Sequence, residues 1–155
     1  LFVCYGNICR SPMAEGIAKA FFKPDHRVTV KSAGVAAIPG NFPSENAIFV
    51  CKTHGINIKD HRARPVSPSL LSESDAIFCM ENYQCQEVRT LLKQEGLIRL
   101  IGKDVPGISS EIPDPYGKGP EAYERTFRDL NKAIMFHFGK NAKRREYDGK
   151  KETSR

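Results

Sequence analysis

Tryptophan is absent, and no apolar run is longer than five residues, the length reached at 47–51 and 76–80. A membrane-crossing helix needs about 20 such residues, so no membrane span is expected. The apolar opening, residues 1–4, is too short for the hydrophobic stretch of a signal peptide. There is no initiator Met, and the first strand is therefore expected to be entered part-way. No Cys-x₂-Cys pair occurs, the five cysteines (4, 9, 51, 79, 85) are odd in number, and none of the four histidines (26, 54, 61, 137) stands at zinc-finger spacing from a cysteine. These absences argue against a disulfide framework and a structural zinc site, and favour reduced thiols in a cytoplasmic compartment.

What remains is 155 residues, 40% hydrophobic and 27% charged, the make-up of one ordinary globular domain. The net charge of +6 raises the question of a polyanionic partner. Its distribution answers that question. Residues 140–155 hold seven Lys or Arg against three acids, whereas residues 1–139 hold 17 basic against 15 acidic side chains. The body, 1–139, is nearly neutral; the basic end, 140–155, shows no periodicity and reads as a frayed or disordered tail.

Apolar periodicity alternates between strand and helix along the chain. Leu1-Phe2-Val3 reads as a buried parallel strand. Ser11-Pro12 opens a helix as N-cap and first helical residue, with Met13, Ile17 and Phe21 on its apolar face and Pro24 beyond its end. Residues 28–31 alternate as a strand, and 33–43 form a loop. Ser44 caps a helix that turns Ala47, Val50 and Cys51 inward and stops at Gly55. Pro65 and Pro68 bound an irregular stretch. Residues 76–80 read as a strand, and 81–95 as a helix with Val88, Leu91 and Leu92 on one side, closed by Gly96. Residues 97–101 read as the fourth strand, and 102–120 as irregular. The last helix, about 120–138, carries Tyr123, Phe127, Leu130, Ile134 and Phe138 at helical spacing. Such alternation predicts an α/β fold: a parallel sheet covered on both faces, with ligands beyond the carboxyl ends of the strands.

The segment after the first strand, Cys4-Tyr5-Gly6-Asn7-Ile8-Cys9-Arg10-Ser11, falls at that position. It leads into a helix N-terminus, whose unpartnered N–H groups and dipole favour an anion. Gly6 and Asn7 tolerate left-handed backbone angles and let several N–H groups turn inward as a nest. Arg10 adds a planar fork matched to two oxyanion oxygens. A thiol in such a field is favoured as the thiolate. Together these groups suit phosphoryl transfer through a cysteine. Cys-x₅-Arg spacing alone is weak, because with eleven arginines in the chain it arises by chance about one time in three. On spacing alone, a strand-ending Cys4 and a surface Arg10 are an equal reading. The loop is not a Walker A sequence.

A thiolate that transfers phosphoryl groups needs a proton donor for the leaving group. Asp114, in Asp114-Pro115-Tyr116-Gly117, lies before the last helix on the expected ligand side. Pro115 holds the backbone of Asp114 extended, and Tyr116 offers an aromatic wall. Asp-Pro-x-Gly is also a good turn sequence, and without the first loop the turn reading prevails.

Residues 4–12, with the late Asp114-Pro115-Tyr116-Gly117, resemble the low-molecular-weight protein tyrosine phosphatases. The resemblance extends to Ser32-Ala33-Gly34, Gly40-Asn41, residues 51–56, His61-Arg62-Ala63-Arg64, residues 75–82 and the final helix, and so covers about 1–139. It implies an α/β three-layer sandwich of flavodoxin-like type, with a four-stranded parallel sheet and helices on both faces. It further implies that Cys4 attacks phosphorus and becomes a phosphocysteine. The loop amides of Tyr5, Gly6, Asn7, Ile8, Cys9 and Arg10, with the Arg10 guanidinium, would bind the phosphate. Asp114 would act as general acid and then base. Ser11 would donate to the Cys4 thiolate, and Asn7 would hold the loop by bonds to Ser32 and His61. Cys9 would guard the nucleophile through a reversible disulfide. The family uses no metal and no cofactor, since its own donors stabilise the charge.

The pattern departs from the family at three places. Tyr5 stands where Leu or Thr is usual. Residues 35–39 lack the aromatic residue often placed opposite the loop tyrosine, leaving Ile38 as the expected wall beside Tyr5, Ile8 and Tyr116. The tail from Lys140 has no counterpart. Ile8 resembles the tyrosine-selective members, whereas the arginine phosphatases have Thr there. Competing readings are an arsenate reductase of the same fold using Cys4, Cys79 and Cys85 as a relay, a protein-arginine phosphatase, and a non-catalytic phosphate-binding module. The expected partners are phosphotyrosine proteins or small aryl phosphates, with no nucleic acid and no membrane. A monomer or weak dimer is expected.

Overall fold

The computed structural model describes residues 1–23, 25–92 and 98–152, with side chains as far as residue 139. Four short strands, β1 (Phe2–Cys4), β2 (Ser32–Gly34), β3 (Ile77–Cys79) and β4 (Ile98–Leu100), form one parallel sheet in the order β2-β1-β3-β4. Among the described residues five helices pack around it: α1 (Arg10–Phe22), α2 (Glu45–Thr53), α3 (Pro68–Ser72), α4 (Asn82–Leu91) and α5 (Pro120–Glu152). This is the expected α/β sheet with helices on both faces.

Side-chain alternation along the strands divides the core in two. Phe2, Cys4, Phe78 and Met80 pack with Met13, Ile17, Val50, Leu130 and Ile134 from α1, α2 and α5. Val3, Ile77 and Cys79 face the other way, toward Leu71, Cys85 and Val88 from α3 and α4. Burying a Leu or Ile side chain contributes roughly 1.5–3 kcal/mol, so these two layers fix the sheet.

Several expectations are corrected. The second strand lies at Ser32–Gly34, not at 28–31. The register explains this: Phe2 pairs with Ser32, so residues 28–30 have no strand residue beside them. A cavity of about 1070 Å³ opens there among Phe2, Val30, Lys31, Asp75 and Phe78, at the end of the sheet opposite Cys4. The stretch from Pro65 to Ser67 is irregular as expected, but Pro68 opens a short helix that was not expected, α3, because the Ser67 hydroxyl accepts from Leu70 N and Pro68 fits the first helical turn. The N-cap of α1 is Cys9, not Ser11; the Ser11 hydroxyl is engaged elsewhere, as described below. Helix α4 ends at Leu91, before 95. Leu92 is extended there, and Leu91 is 46% exposed instead of facing inward. Pro24, residues 93–95, Gly96 and Leu97, named above as helix and strand boundaries, lie outside the described residues. Helix α5 runs past 138 to Glu152; residues 140–152 are rich in Lys, Arg and Glu, whose helix propensity carries backbone order without an apolar stripe. By contrast, Ser44 caps α2 as expected, and Gly55 follows its end at φ 74°. No helix of the described residues is long and apolar enough to cross a membrane.

Candidate active site

The site is assembled at the carboxyl end of β1, between the sheet and the N-terminus of α1. Cys4 is the last residue of β1 and is buried. From it the chain bends sharply. Asn7 sits in the left-handed region at φ 55°; of the Gly6-Asn7 pair, Asn is the one that uses this freedom. The bend brings Asn7 N to 3.3 Å from Cys4 Sγ, and its N–H donates to the sulfur. Ser11 Oγ lies 2.9 Å from the same sulfur.

A buried polar network holds this loop. Asn7 Nδ2 donates to Ser11 Oγ at 2.8 Å and to Ser32 Oγ at 2.9 Å. Asn7 Oδ1 accepts from Arg64 N at 2.9 Å. Because Ser11 Oγ accepts from Asn7, its single proton is left for Cys4 Sγ or for Ala33 O at 3.3 Å. Ser32 in turn donates to Glu15, which also pairs with Lys19. His61 Nε2 donates to Asn7 O at 3.0 Å, and its other ring nitrogen lies 3.6 Å from Glu15. His61 thus holds the loop backbone, not the Asn7 side chain. Burial lowers the His61 pKa, against the opposing pull of the Asn7 carbonyl and Glu15 and together with Arg64 and Lys19. Isolated polar groups at this depth would destabilise by about 1–3 kcal/mol each; here every one has a partner.

β2 sets how closely the loop can approach. A Cβ on Gly34 would lie 2.5 Å from Tyr5 O and 2.8 Å from Asn7 N. Ala36 N donates to Tyr5 O at 2.9 Å, and Ser44 N to Ile8 O at 2.8 Å, so the loop is bonded to both neighbouring segments.

Arg10 opens α1 and is 1% exposed. Its Nη1 donates to Glu81 Oε2 at 2.6 Å and to Ile112 O at 2.9 Å, and its Nη2 to Asp114 Oδ2 at 2.9 Å. Burial works to lower its pKa, but the Glu81 hydrogen bond and the charges of Cys4 and Asp114 outweigh it, and the net shift is upward. The surface-arginine reading of Arg10 is thereby excluded. Asp114 Oδ1 accepts from Tyr116 N at 3.1 Å, and Lys118 N donates to Pro115 O at 3.0 Å. Asp-Pro-Tyr-Gly is therefore both a turn and the bearer of a carboxylate aimed at Arg10.

Cys9 is buried, with Sγ 3.3 Å from Ser44 Oγ and 3.4 Å from Tyr123 Oη; burial raises its pKa. All five cysteines are free thiols. The expected pocket residues Tyr5, Ile38 and Tyr116 are 53%, 66% and 65% exposed, and Ile8 is half-buried against the core. Cys79 and Cys85 are buried in the same layer, across the sheet from Cys4, where each acts on the other and the Cys79 thiol is raised while the Cys85 thiol is lowered.

Sequence reasoning missed Glu15, Glu81 and Gln84. Glu15 stands four residues after Ser11, on the same buried helical face, which was its one signal. Glu81 follows the apolar run 76–80 directly, at the carboxyl end of a strand, where ligand-side residues fall. Gln84 carried no signal.

The fold and the loop around Cys4 define a class of α/β protein with a buried cysteine at a strand end, facing a helix N-terminus and a buried arginine. Residues 1–146 match the low molecular weight phosphotyrosine protein phosphatase family, and the chain belongs to it. A probable low molecular weight protein-tyrosine-phosphatase of Ralstonia nicotianae, EpsP, is 35% identical over 86% of this chain and 89% of its own. The structure of the T. tengcongensis low molecular weight protein tyrosine phosphatase matches with a TM-score of 0.83 at 36% identity, over 90% of this chain and 96% of that one. The YwlE arginine phosphatase from Geobacillus stearothermophilus matches with a TM-score of 0.84 at 28% identity, over 94% of both chains.

Proposed function

We propose that this protein hydrolyses phosphotyrosine, in proteins or as small aryl phosphates, through a phosphocysteine on Cys4. The observation that carries this reading is the convergence of Cys4 Sγ, Arg10 and Asp114 at one strand end, with Ser11 Oγ and Asn7 N–H on the sulfur. The thiolate attacks phosphorus as the bond to the phenolic oxygen breaks, and Asp114 gives its proton to the leaving oxygen. The loop amides and Arg10 hold the three equatorial oxygens. A dianion arriving at Arg10 Nη2 displaces the Asp114 carboxylate from it, freeing Oδ2 to face the leaving group. In the second half, Asp114 takes a proton from the water that attacks the phosphocysteine; phosphate leaves and the thiolate is restored. Ser11 Oγ, placed to donate to Cys4, stabilises the thiolate as leaving group. Cys9 guards Cys4: when a peroxide oxidises the Cys4 thiolate to a sulfenic acid, the Cys9 thiol attacks that sulfur, water leaves and a disulfide that a thiol reductant can reopen is formed. Residues 1–139 form the working unit and the basic end 140–155 stands outside the chemistry. A monomer or weak dimer in the cytoplasm fits this reading.

Ile8 supports a flat aryl group over a guanidinium, since it gives an apolar edge and no hydroxyl. The thiol-relay reading is disfavoured by the sheet that lies between Cys4 and the Cys79–Cys85 pair. Wild type, Cys4→Ser and Asp114→Ala assayed on p-nitrophenyl phosphate and on phosphotyrosine, phosphoserine and phosphoarginine peptides test the proposal. Turnover of the aryl substrates by wild type, its loss in Cys4→Ser and a lowered rate in Asp114→Ala are expected. Activity persisting in Cys4→Ser would sink the mechanism, and preference for phosphoarginine would sink the substrate class.

A further inference from the structure

One contact beside the site is not used by the reaction. Phe42 is exposed, and the guanidinium carbon of Arg62, also exposed, lies 3.8 Å from the centroid of its ring. The two residues come from segments that are bonded to each other. Gly40 N donates to Ala63 O and Ala63 N to Asn41 O, both at 2.8 Å. Each segment is also bonded to the loop after β1. Two residues past Phe42, Ser44 N donates to Ile8 O at 2.8 Å. One residue before Arg62, His61 Nε2 donates to Asn7 O at 3.0 Å, and two residues after it Arg64 N donates to Asn7 Oδ1 at 2.9 Å. The stacked pair therefore stands at a fixed offset from the Asn7–Ile8 side of that loop.

Arg62 is itself held in place. Its Nη1 donates to Lys59 O at 3.0 Å and to His61 O at 2.8 Å, which uses both protons of that nitrogen. The Phe42 ring covers the guanidinium by a cation–π contact. What is left is the side edge formed by Nε and Nη2, which has no partner among the described residues. Such an edge is matched to a carboxylate, which accepts two parallel N–H bonds. An exposed ion pair is weak in part because two long side chains must be ordered to make it. Here one of the two is ordered by the fold. The local charge favours an anion as well, since residues 59–64 hold Lys59, Arg62 and Arg64 against Asp60 alone.

Resting on the reading of Cys4 as a phosphotyrosine site, we propose that Arg62, held on Phe42, is a specificity-determining residue: it takes the side-chain carboxylate of an Asp or Glu that flanks the phosphotyrosine in a protein substrate. An extended peptide advances about 3.3 Å per residue, so the acid stands about two to four residues from the phosphotyrosine. The preferred substrates are thus acidic phosphotyrosyl segments. If the stacked pair were packing alone, it would not distinguish one peptide from another. If only a diffuse positive field acted, it would not matter which arginine was removed.

These differences supply the test. Phosphotyrosyl peptides of one neutral sequence carry a single Asp, Ala or Lys at each position from four before to four after the phosphotyrosine. Their kcat and KM are measured with wild type, Arg62→Gln, Arg62→Glu, Phe42→Ala and Arg64→Gln. Free phosphotyrosine and p-nitrophenyl phosphate, which have no flanks, are the controls. In wild type, Asp at the matching position lowers KM about three- to fivefold relative to Ala, the scale of an exposed ion pair. The gain leaves kcat nearly unchanged and fades at high salt. Arg62→Gln removes it, Arg62→Glu transfers it to the Lys peptide, and Phe42→Ala weakens it. Arg64→Gln keeps it, and all four variants turn over p-nitrophenyl phosphate as wild type does. Equal KM for Asp and Ala peptides at every position in wild type would overturn the proposal. So would a preference that survives Arg62→Gln, or one that Arg64→Gln removes equally. Should Arg62→Glu fail to fold, the wild-type scan and Arg62→Gln decide by the same criteria. A wild type inactive on free phosphotyrosine and p-nitrophenyl phosphate would sink the proposed reaction instead. The same Asp–Ala contrast, read by calorimetry as peptide binding, then judges Arg62 by itself.

Discussion

Beneath Cys4 the polar side chains are all inside: Asn7, Ser11 and Ser32 are fully buried and bonded to one another, and Glu15 closes the network behind them. Above it, the side chains expected to meet the substrate ring, Tyr5, Ile38 and Tyr116, stand more than half exposed with no such ties. Folding itself positions the floor, because each group there would be unsatisfied in any other arrangement. The rim is under no such compulsion and is free to vary. Chemistry and substrate choice are thus held by different physical means, and substitutions should separate them.

The sharpest break in the floor is Cys4→Ser, expected to lower kcat on p-nitrophenyl phosphate by at least about 10⁴-fold with little change in Tm, as for other removed nucleophiles. Asp114→Ala should lower kcat by about 10²–10⁴-fold, the usual contribution of a general acid, and the loss should shrink for substrates with better leaving groups. Asn7→Ala leaves the Arg64 amide without its partner, takes a donor from Ser32 and Ser11, and puts Ala at φ 55°. It should destabilise the fold by about 1–3 kcal/mol, read by chemical denaturation, and reduce kcat as well.

The rim predictions are smaller. Tyr116→Ala should raise KM for aryl phosphates about fivefold, corresponding to roughly 1 kcal/mol of contact, with kcat nearly unchanged. Ile38→Trp, which restores an aromatic wall, should lower KM by a similar factor. A large kcat effect from either would erase the distinction between floor and rim. The smallest effect concerns pH. Burial holds the folded-state pKa of His61 below its ordinary value of 6.5. As pH falls below about 6.5 the unfolded chain takes up this proton before the folded one does, so stability is lost with acidification and is unaffected above that point. Tm should fall more steeply between pH 6.5 and 5 in wild type than in His61→Gln.

The same division governs what was legible in the sequence. The strand–loop–helix around Cys4 and the Asp114 turn are local patterns, and each residue type announces its backbone role. The helices with strong apolar faces, α2 and the first part of α5, were likewise readable. Position of β2 was not, because it depends on which residue of β1 lies beside it. The cap of α1 was misread because Ser11 bonds to the sulfur and not to its own helix. Glu81 and Glu15 look like surface acids until tertiary contacts supply Arg10, Ser32 and Lys19 as partners. Leu91 failed for the converse reason: α4 ends there, and its inner face has already been filled by Gln84, Cys85 and Val88.

The bare α-carbon of Gly34 carries a further implication. The end of β2 lies so close to Tyr5 O and Asn7 N that one methyl group would push the loop outward. The neighbouring strand thereby acts as a gauge for the bore of the proposed phosphate cradle. Which tetrahedral anions fit the cradle is dictated from outside the ring of residues that touches them, and widening it for a larger oxyanion would begin at Gly34, with every reactive group left in place.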